Sequence, residues 1–196
     1  MKRKGYVIDY ECGNVKSVIK AFEYNGFEID SGKGEEISND YLLIIPGVGN
    51  FGYAMEFLSK NKLTDVIKTH FESGGKIVGI CLGMQLLFEH SEEAPGVKGL
   101  GLIKGSVKRL NKDQETKFTK MHLGWSKTRF NLSNEIHDMY YVHQYYCKPF
   151  SSDYISETFL WGDKTICAGI KTKQIRAFQF HPEKSSRAGL NLIKNI

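Results

Sequence analysis

Three side chains in this sequence could together perform nucleophilic chemistry. Cys81 sits in Gly79-Ile80-Cys81-Leu82-Gly83, which has the form of a nucleophile elbow with cysteine in place of serine. Before it runs a short apolar strand; after it Met84, Leu86, Leu87 and Phe88 read as the opening of a helix. An elbow forces the central residue into a strained conformation, and flanking glycines relieve the crowding because they lack Cβ. A helix N-terminus also favours a thiolate over a thiol. The competing reading is a buried structural cysteine, since free cysteines are usually buried.

The nucleophile needs a base, and His181-Pro182-Glu183 supplies a candidate at the mouth of the strand-like Arg176–Phe180. A histidine can take the thiol proton and return it to a leaving amine, while a carboxylate fixes its tautomer. Alone, this turn would read as a surface loop. Gly47-Val48-Gly49 follows an apolar strand, so its backbone could approach a substrate and, with the Leu82 N–H, form an oxyanion hole. Its plain alternative is a glycine turn. Of the other histidines, His70 and His90 read as helical and exposed. His122 and His143 lie among aromatics, where a structural role is as reasonable as a functional one. No histidine spacing resembles a metal site, and no metal or cofactor is expected.

The elements that must position these groups change character midway. In the first half strands and helices alternate. Tyr6–Tyr10, Phe27–Asp30, Tyr41–Ile45 and the Cys81 strand are separated by helical patterns at Val15–Tyr24, Tyr53–Lys60 and Leu63–Glu72. Asn14 is placed to cap the first helix. Tyr41-Leu42-Leu43-Ile44-Ile45 lacks polar alternation, as expected of a strand buried on both faces. This order predicts an α/β fold with a mostly parallel central sheet, flanking helices, and sites beyond the carboxyl ends of the strands. The second half is β-rich. Leu102–Leu110, His122–Phe130, Met139–Cys147, Tyr154–Trp161, Ile166–Lys171 and Arg176–Phe180 read as strands of an antiparallel extension. Ser185 is expected to cap a closing helix, Arg187–Ile196. With 196 residues and no linker or repeat, residues 1–196 read as one domain.

Composition narrows the classes. No apolar run approaches the roughly 20 residues of a membrane span, and the first residues lack the apolar core of a signal peptide. Cys12, Cys81, Cys147 and Cys167 form no disulfide framework, so reduced thiols in a cytoplasmic protein are expected. The formal charge of +5 comes from dispersed basic residues without interleaved aromatics, which argues against nucleic acid.

Cys81 in Gly79–Gln85, with Phe180-His181-Pro182-Glu183-Lys184-Ser185, resembles the class I (triad) glutamine amidotransferases. Further motifs narrow the resemblance to one branch, the glutaminase subunits of imidazole glycerol phosphate synthase in histidine biosynthesis. They are Asp9-Tyr10 with Gly13-Asn14, Ile45–Gly52, Ser91–Leu100, Gly124-Trp125 and Tyr141–Tyr145. The resemblance implies the flavodoxin-like fold of that class and a glutaminase with Cys81 as nucleophile, His181 as acid/base and Glu183 orienting it. Gln85, Glu93, Gln144 and Tyr145 would hold glutamine. Asn14, Trp125, Tyr140 and Lys184 would face a (β/α)8-barrel synthase partner that receives the ammonia. The chain departs from the branch at Met121–Ser126, Gln144 and Cys12. Two alternatives therefore stay open: a paralogous subunit supplying ammonia for a bacterial surface sugar, and a stand-alone hydrolase of the same class.

Overall fold

All four residues of Leu42–Ile45 are apolar because the strand they form is covered on both faces. Leu43 and Ile45 point into one core, Leu42 and Ile44 into the other, as the two-residue repeat of a strand requires. The computed structural model describes residues 3–11, 15–34, 37–110 and 121–196; Asn14 and Cys12 lie outside these residues.

The strands are β1 (Arg3–Ile8), β2 (Phe27–Gly32), β3 (Leu42–Ile45), β4 (Lys76–Ile80), β5 (Phe88–Ser91), β6 (Ile103–Arg109), β7 (His122–Phe130), β8 (Ile136–His143), β9 (Tyr145–Pro149), β10 (Ile155–Trp161), β11 (Lys164–Lys171) and β12 (Ile175–Phe178). The helices are α1 (Val15–Tyr24), α2 (Phe51–Lys60), α3 (Leu63–Glu72), α4 (Leu82–Leu86) and α5 (Ser186–Lys194). One sheet runs β2-β1-β3-β4-β12-β11-β10-β7-β8. Its first five strands are parallel and the remaining pairings antiparallel, so the expected parallel core with an antiparallel extension is present. A second sheet, β5-β6-β9, packs Val107, Tyr145 and Cys147 into the core that holds α2 and α3. α1 and α5 bury Val18, Phe22 and Ile193 in the other.

Several boundaries differ from the sequence expectation, each for a tertiary reason. The helix after Cys81 stops at Leu86 instead of running through Phe88. The carbonyls of Leu86, Leu87 and Phe88 accept from the amides of Leu100, Ile103 and Gly101, so they are unavailable to a continuing helix. Met139–Cys147 is two strands in different sheets, broken at Gln144, whose carbonyl accepts from Leu110 N at 2.8 Å. Ser185 precedes α5 but makes no side-chain cap. Its hydroxyl donates to the His181 carbonyl at 2.6 Å and accepts from Tyr140 N at 3.0 Å, tying the His181 turn to β8. His70 is helical but buried, its ring lying over Gly75, where a Cβ would come within 2.3 Å of it. His90 is exposed on β5, not on a helix.

β12 delivers His181 to the sheet edge, and a buried ion pair fastens it to the extension. Arg176 reaches across β11 to Glu157 on β10, with a second contact at 2.8 Å, and donates to Ser156 Oγ at 2.6 Å. Glu157 is 2% exposed, so removing its partner strands a carboxylate in the core. We expect Arg176→Ala to lower unfolding free energy by about 3–5 kcal/mol. Urea denaturation with an unchanged midpoint would show that the pair is not what holds β12.

Candidate active site

Three neighbouring parallel strands, β3, β4 and β12, end at the same edge and deliver Pro46–Gly49, Cys81 and Gln179–His181 side by side. At β4 the chain turns abruptly. Cys81 takes φ 53°, ψ −107°, a conformation that ordinary residues avoid. Its N–H donates to Phe178 O at 2.7 Å, and its carbonyl accepts from Met84 N and Gln85 N, which starts α4. The flanking glycines are needed sterically. A Cβ on Gly83 would lie 1.8 Å from the Ile45 carbonyl oxygen, and one on Gly79 would lie 2.9 Å from the backbone of Gly83 and Met84. α4 has only five residues, so its dipole contributes less at Cys81 than a full helix would.

His181 and Glu183 meet Cys81 at this edge. His181 Nδ1 lies 2.8 Å from Glu183 Oε1, and both side chains are 3% exposed. With Nδ1–H given to the carboxylate, Nε2 is left to exchange a proton with the thiol. Burial disfavours the imidazolium, but the attraction of Cys81 and the bond to Glu183 outweigh this, and the His181 pKa is raised. The His181 amide donates to Tyr140 O at 2.9 Å, so the ring's position is set partly from β8.

Beside Cys81 opens a cavity of about 300 Å³ lined by Val48, Gln85, Glu93, His143, Gln144 and Tyr145, among others. A larger cleft of about 970 Å³ lies between α3 and the residues before β3, with no cysteine and no acid-paired histidine among the described residues of its wall. Chemistry, not size, therefore selects the smaller cavity. Gln85 Nε2 donates to the Tyr145 carbonyl at 3.1 Å and to Gln179 Oε1 at 3.2 Å. Glu93 accepts from Phe51 N at 2.8 Å, so one of its oxygens caps α2. The Tyr145 hydroxyl accepts a short bond from Arg109.

The proposed oxyanion donors are not all free. The Leu82 N–H donates to the Gly47 carbonyl at 3.3 Å. Tyr10 hydrogen-bonds the neighbouring Pro46 carbonyl and fills the space where a Gly47 Cβ would stand. An oxyanion could use the Leu82 donor only after the Gly47 carbonyl withdraws. Of the residues expected at a partner surface, Trp125 and Tyr140 are cross-strand neighbours in T-shaped contact, ring centroids 5.7 Å apart. Lys184 is exposed directly after Glu183. With Met121 and Leu123, Trp125 forms an exposed apolar stripe beside the cavity.

Gln179 belongs to no sequence motif, yet it is fully buried and donates to Cys81 Sγ at 3.8 Å. The available signal was a polar residue inside an otherwise buried strand run. The sequence also leaves His122 and His143 undecided. They lie directly opposite on β7 and β8, 3.2 Å apart between ring nitrogens, and burial lowers their pKa values to about 4 and about 3.

These directions fix a pH dependence. The folded state holds His122, His143 and His70 neutral where the unfolded chain would bind protons, starting near 6.5. Stability is therefore lost as pH falls below that value, by up to about 1.4 kcal/mol per pH unit for each ring. His181 has the opposite sign: its raised pKa gives stabilisation present below the unfolded value and lost only as pH rises. We expect denaturant midpoints to fall between pH 7 and about 5, and less steeply in His122→Asn. A flat profile would contradict the neutral assignment.

Residues 6–196 match the family model described as glutamine amidotransferase class-I. The imidazole glycerol phosphate synthase subunit HisH of Chlorobaculum tepidum is 39% identical over 200 residues, aligning 97% of this chain and 98% of that protein. The subunit of the same name from Aquifex aeolicus is 39% identical over 205 residues, covering 97% and 94%. Among solved structures, one described as a glutamine amidotransferase superposes with a TM-score of 0.72 at 15% identity, over 99% of this chain and 100% of that one. PurLQS from Thermotoga maritima gives 0.72 at 20% identity, over 97% and 92%. At those identities the structures speak to the fold alone. The sequence matches go further: this chain belongs to the class-I glutamine amidotransferase family.

Proposed function

We propose that this chain is the glutamine-hydrolysing subunit of an imidazole glycerol phosphate synthase, one domain that releases ammonia from glutamine for a barrel-type synthase partner. The observation that carries the chemistry is the buried His181–Glu183 pair beside a strained, glycine-flanked Cys81. The pathway is supported by full-length relatives named for that synthase.

The Cys81 sulfur gives its proton to His181 and attacks the carboxamide carbon of glutamine. The resulting oxyanion takes N–H donors from Leu82 and the Pro46–Gly49 loop. His181 returns the proton to the departing nitrogen, the C–N bond breaks, and ammonia leaves a γ-glutamyl thioester. Water, losing a proton to His181, then attacks the thioester carbon, and glutamate departs as the sulfur is regenerated. Glu93 suits the α-ammonium of glutamine. Gln85, Gln144 and Tyr145 form the rest of the substrate wall.

Ammonia released into water would be protonated and lost, which favours delivery inside a complex. Trp125, Tyr140 and Lys184, with the exposed Met121 and Leu123, form the surface we assign to the barrel partner; Asn14 is assigned to it by resemblance. Aromatic anchors of this kind commonly dominate interfaces. The bond from Leu82 N to Gly47 O supplies a reason for coupling. Partner binding near Val48 and Tyr140 would favour the loop conformation that frees the donor. Restoring one oxyanion donor is worth about 2.7–4 kcal/mol in the barrier, or about 10²–10³ in rate. The free thiols of Cys81, Cys147 and Cys167 and the biosynthetic role for which the relatives are named favour a cytoplasmic location.

We expect Cys81→Ala to abolish glutamine hydrolysis with the cognate barrel subunit present, while assembly is retained. Full turnover by this variant would overturn the nucleophile. Ammonia transfer assayed with each barrel-type synthase of the source organism tests the acceptor. Strict inactivity with the histidine-pathway synthase would reject that pathway and leave the glutaminase assignment standing.

A further inference from the structure

The Tyr145 carbonyl is a node in the cavity wall, and its chemistry fixes the direction of every hydrogen bond that leads away from it. A carbonyl only accepts, so the ring nitrogen facing it, His143 Nδ1 at 2.8 Å, must carry the proton. A neutral His143 then has a bare Nε2, which must accept from His122 Nδ1 at 3.2 Å. His122 in turn has a bare Nε2, and the Ser126 hydroxyl must donate to it at 2.7 Å. On the other side, the same carbonyl orients the Gln85 carboxamide with its nitrogen inward, and Gln85 fixes Gln179 with its nitrogen toward Cys81 Sγ.

This chain crosses the place where β8 hands over to β9. His143 is the last residue of one sheet and Tyr145 the first strand residue of the other, with exposed Gln144 between them at the cavity. The His143 ring spans that break. His122 is its register partner across β7 and is clamped by Tyr141, stacked at 4.4 Å, and by Phe159 and Trp161. An apolar aromatic cage is costly for an imidazolium, which keeps the pair neutral and the chain of donors directional. Burial, then the neighbouring His122 and more weakly His181, disfavour a second proton on His143.

We propose that His143, with His122 holding its tautomer, is a positioning residue. Its Nδ1–H fixes the Tyr145 carbonyl, and through it the Gln85 carboxamide and the turned backbone at Gln144 that would receive glutamine. The ring itself need not touch substrate. The functional part of this inference rests on the glutaminase reading, whereas the tautomers do not.

Two measurements on the full chain separate them. In ¹⁵N spectra of histidine-labelled protein at neutral pH, His143 and His122 are both expected to be neutral with the proton on Nδ1. An Nε2-protonated or cationic His143 would overturn the proposal. In glutaminase assays with the barrel subunit, His143→Phe is expected to raise KM for glutamine about three- to tenfold, the effect of one lost buried hydrogen bond, with a smaller change in kcat. His143→Asn, whose amide nitrogen can occupy the Nδ1 position, is expected to recover most of the loss, as is His122→Asn relative to His122→Phe. Equal KM in the Phe and Asn variants, matched by equal losses of thermal stability, would make the pair merely structural and overturn the proposal. Turnover surviving in Cys81→Ala would instead fault the glutaminase reading, leaving the spectroscopic result intact.

Discussion

The backbone of one residue sets the terms for the rest of the site. Cys81 is held at φ 53°, ψ −107°, a conformation costing on the order of 1–3 kcal/mol that persists only when its surroundings over-determine it. They do so from three directions. The Phe178 carbonyl takes the Cys81 amide, the backbones of Met84 and Gln85 take its carbonyl, and the bare α-carbons of Gly79 and Gly83 let α4 sit against β4 and Ile45. The sheet order β3-β4-β12 then follows as a functional requirement. Only strands adjacent to β4 can bring the Pro46 loop and the His181 turn within reach of the sulfur.

Around that fixed point the structure contrasts rigid and adjustable parts. The His181 turn is anchored by its amide to Tyr140 O, by Ser185 to both His181 and Tyr140, and by the Arg176–Glu157 pair behind it. The Pro46–Gly49 loop is fastened at Pro46 by Tyr10, but beyond that point its hold is a 3.3 Å bond from Leu82, with Val48 and Gly49 exposed. In the proposed mechanism the base is thus built in place, while the oxyanion donor would depend on a peptide that can turn. Because Tyr140 belongs to both the His181 anchor and the exposed aromatic surface, a partner docking there would act on the base and the loop together.

Much of this was readable in the sequence, because it rests on local rules. Leu42–Ile45 announced a strand buried on both faces, and the glycines around Cys81 announced an elbow whose clashes prove to be real. The helix α3 begins and ends where its pattern does. What escaped notice depends on partners distant in the chain. Leu86–Phe88 has the composition of a helix, but its carbonyls are taken by residues 100–103. Gln144 breaks a run of aromatics that looks continuous, because Leu110 draws the backbone aside and the two halves join different sheets. Ser185 looked like a cap and is a cross-link instead. Gln179 and the His122–His143 pair gave only a faint signal, polar groups in buried strands, and their geometry emerges once β7, β8 and β12 are assembled.

Covalent acylation of the Cys81 sulfur by glutamine is the step on which the proposed chemistry depends. Rapid acid quenching of the chain during glutamine turnover with the barrel-type synthase proposed as its partner, followed by intact-mass and peptide mass spectrometry, measures this directly. A single γ-glutamyl group on Cys81, enriched in His181→Ala if hydrolysis of the thioester slows more than its formation, is the predicted result. Undiminished turnover with Cys81 alkylated, or a glutamyl group carried by another residue, would contradict it.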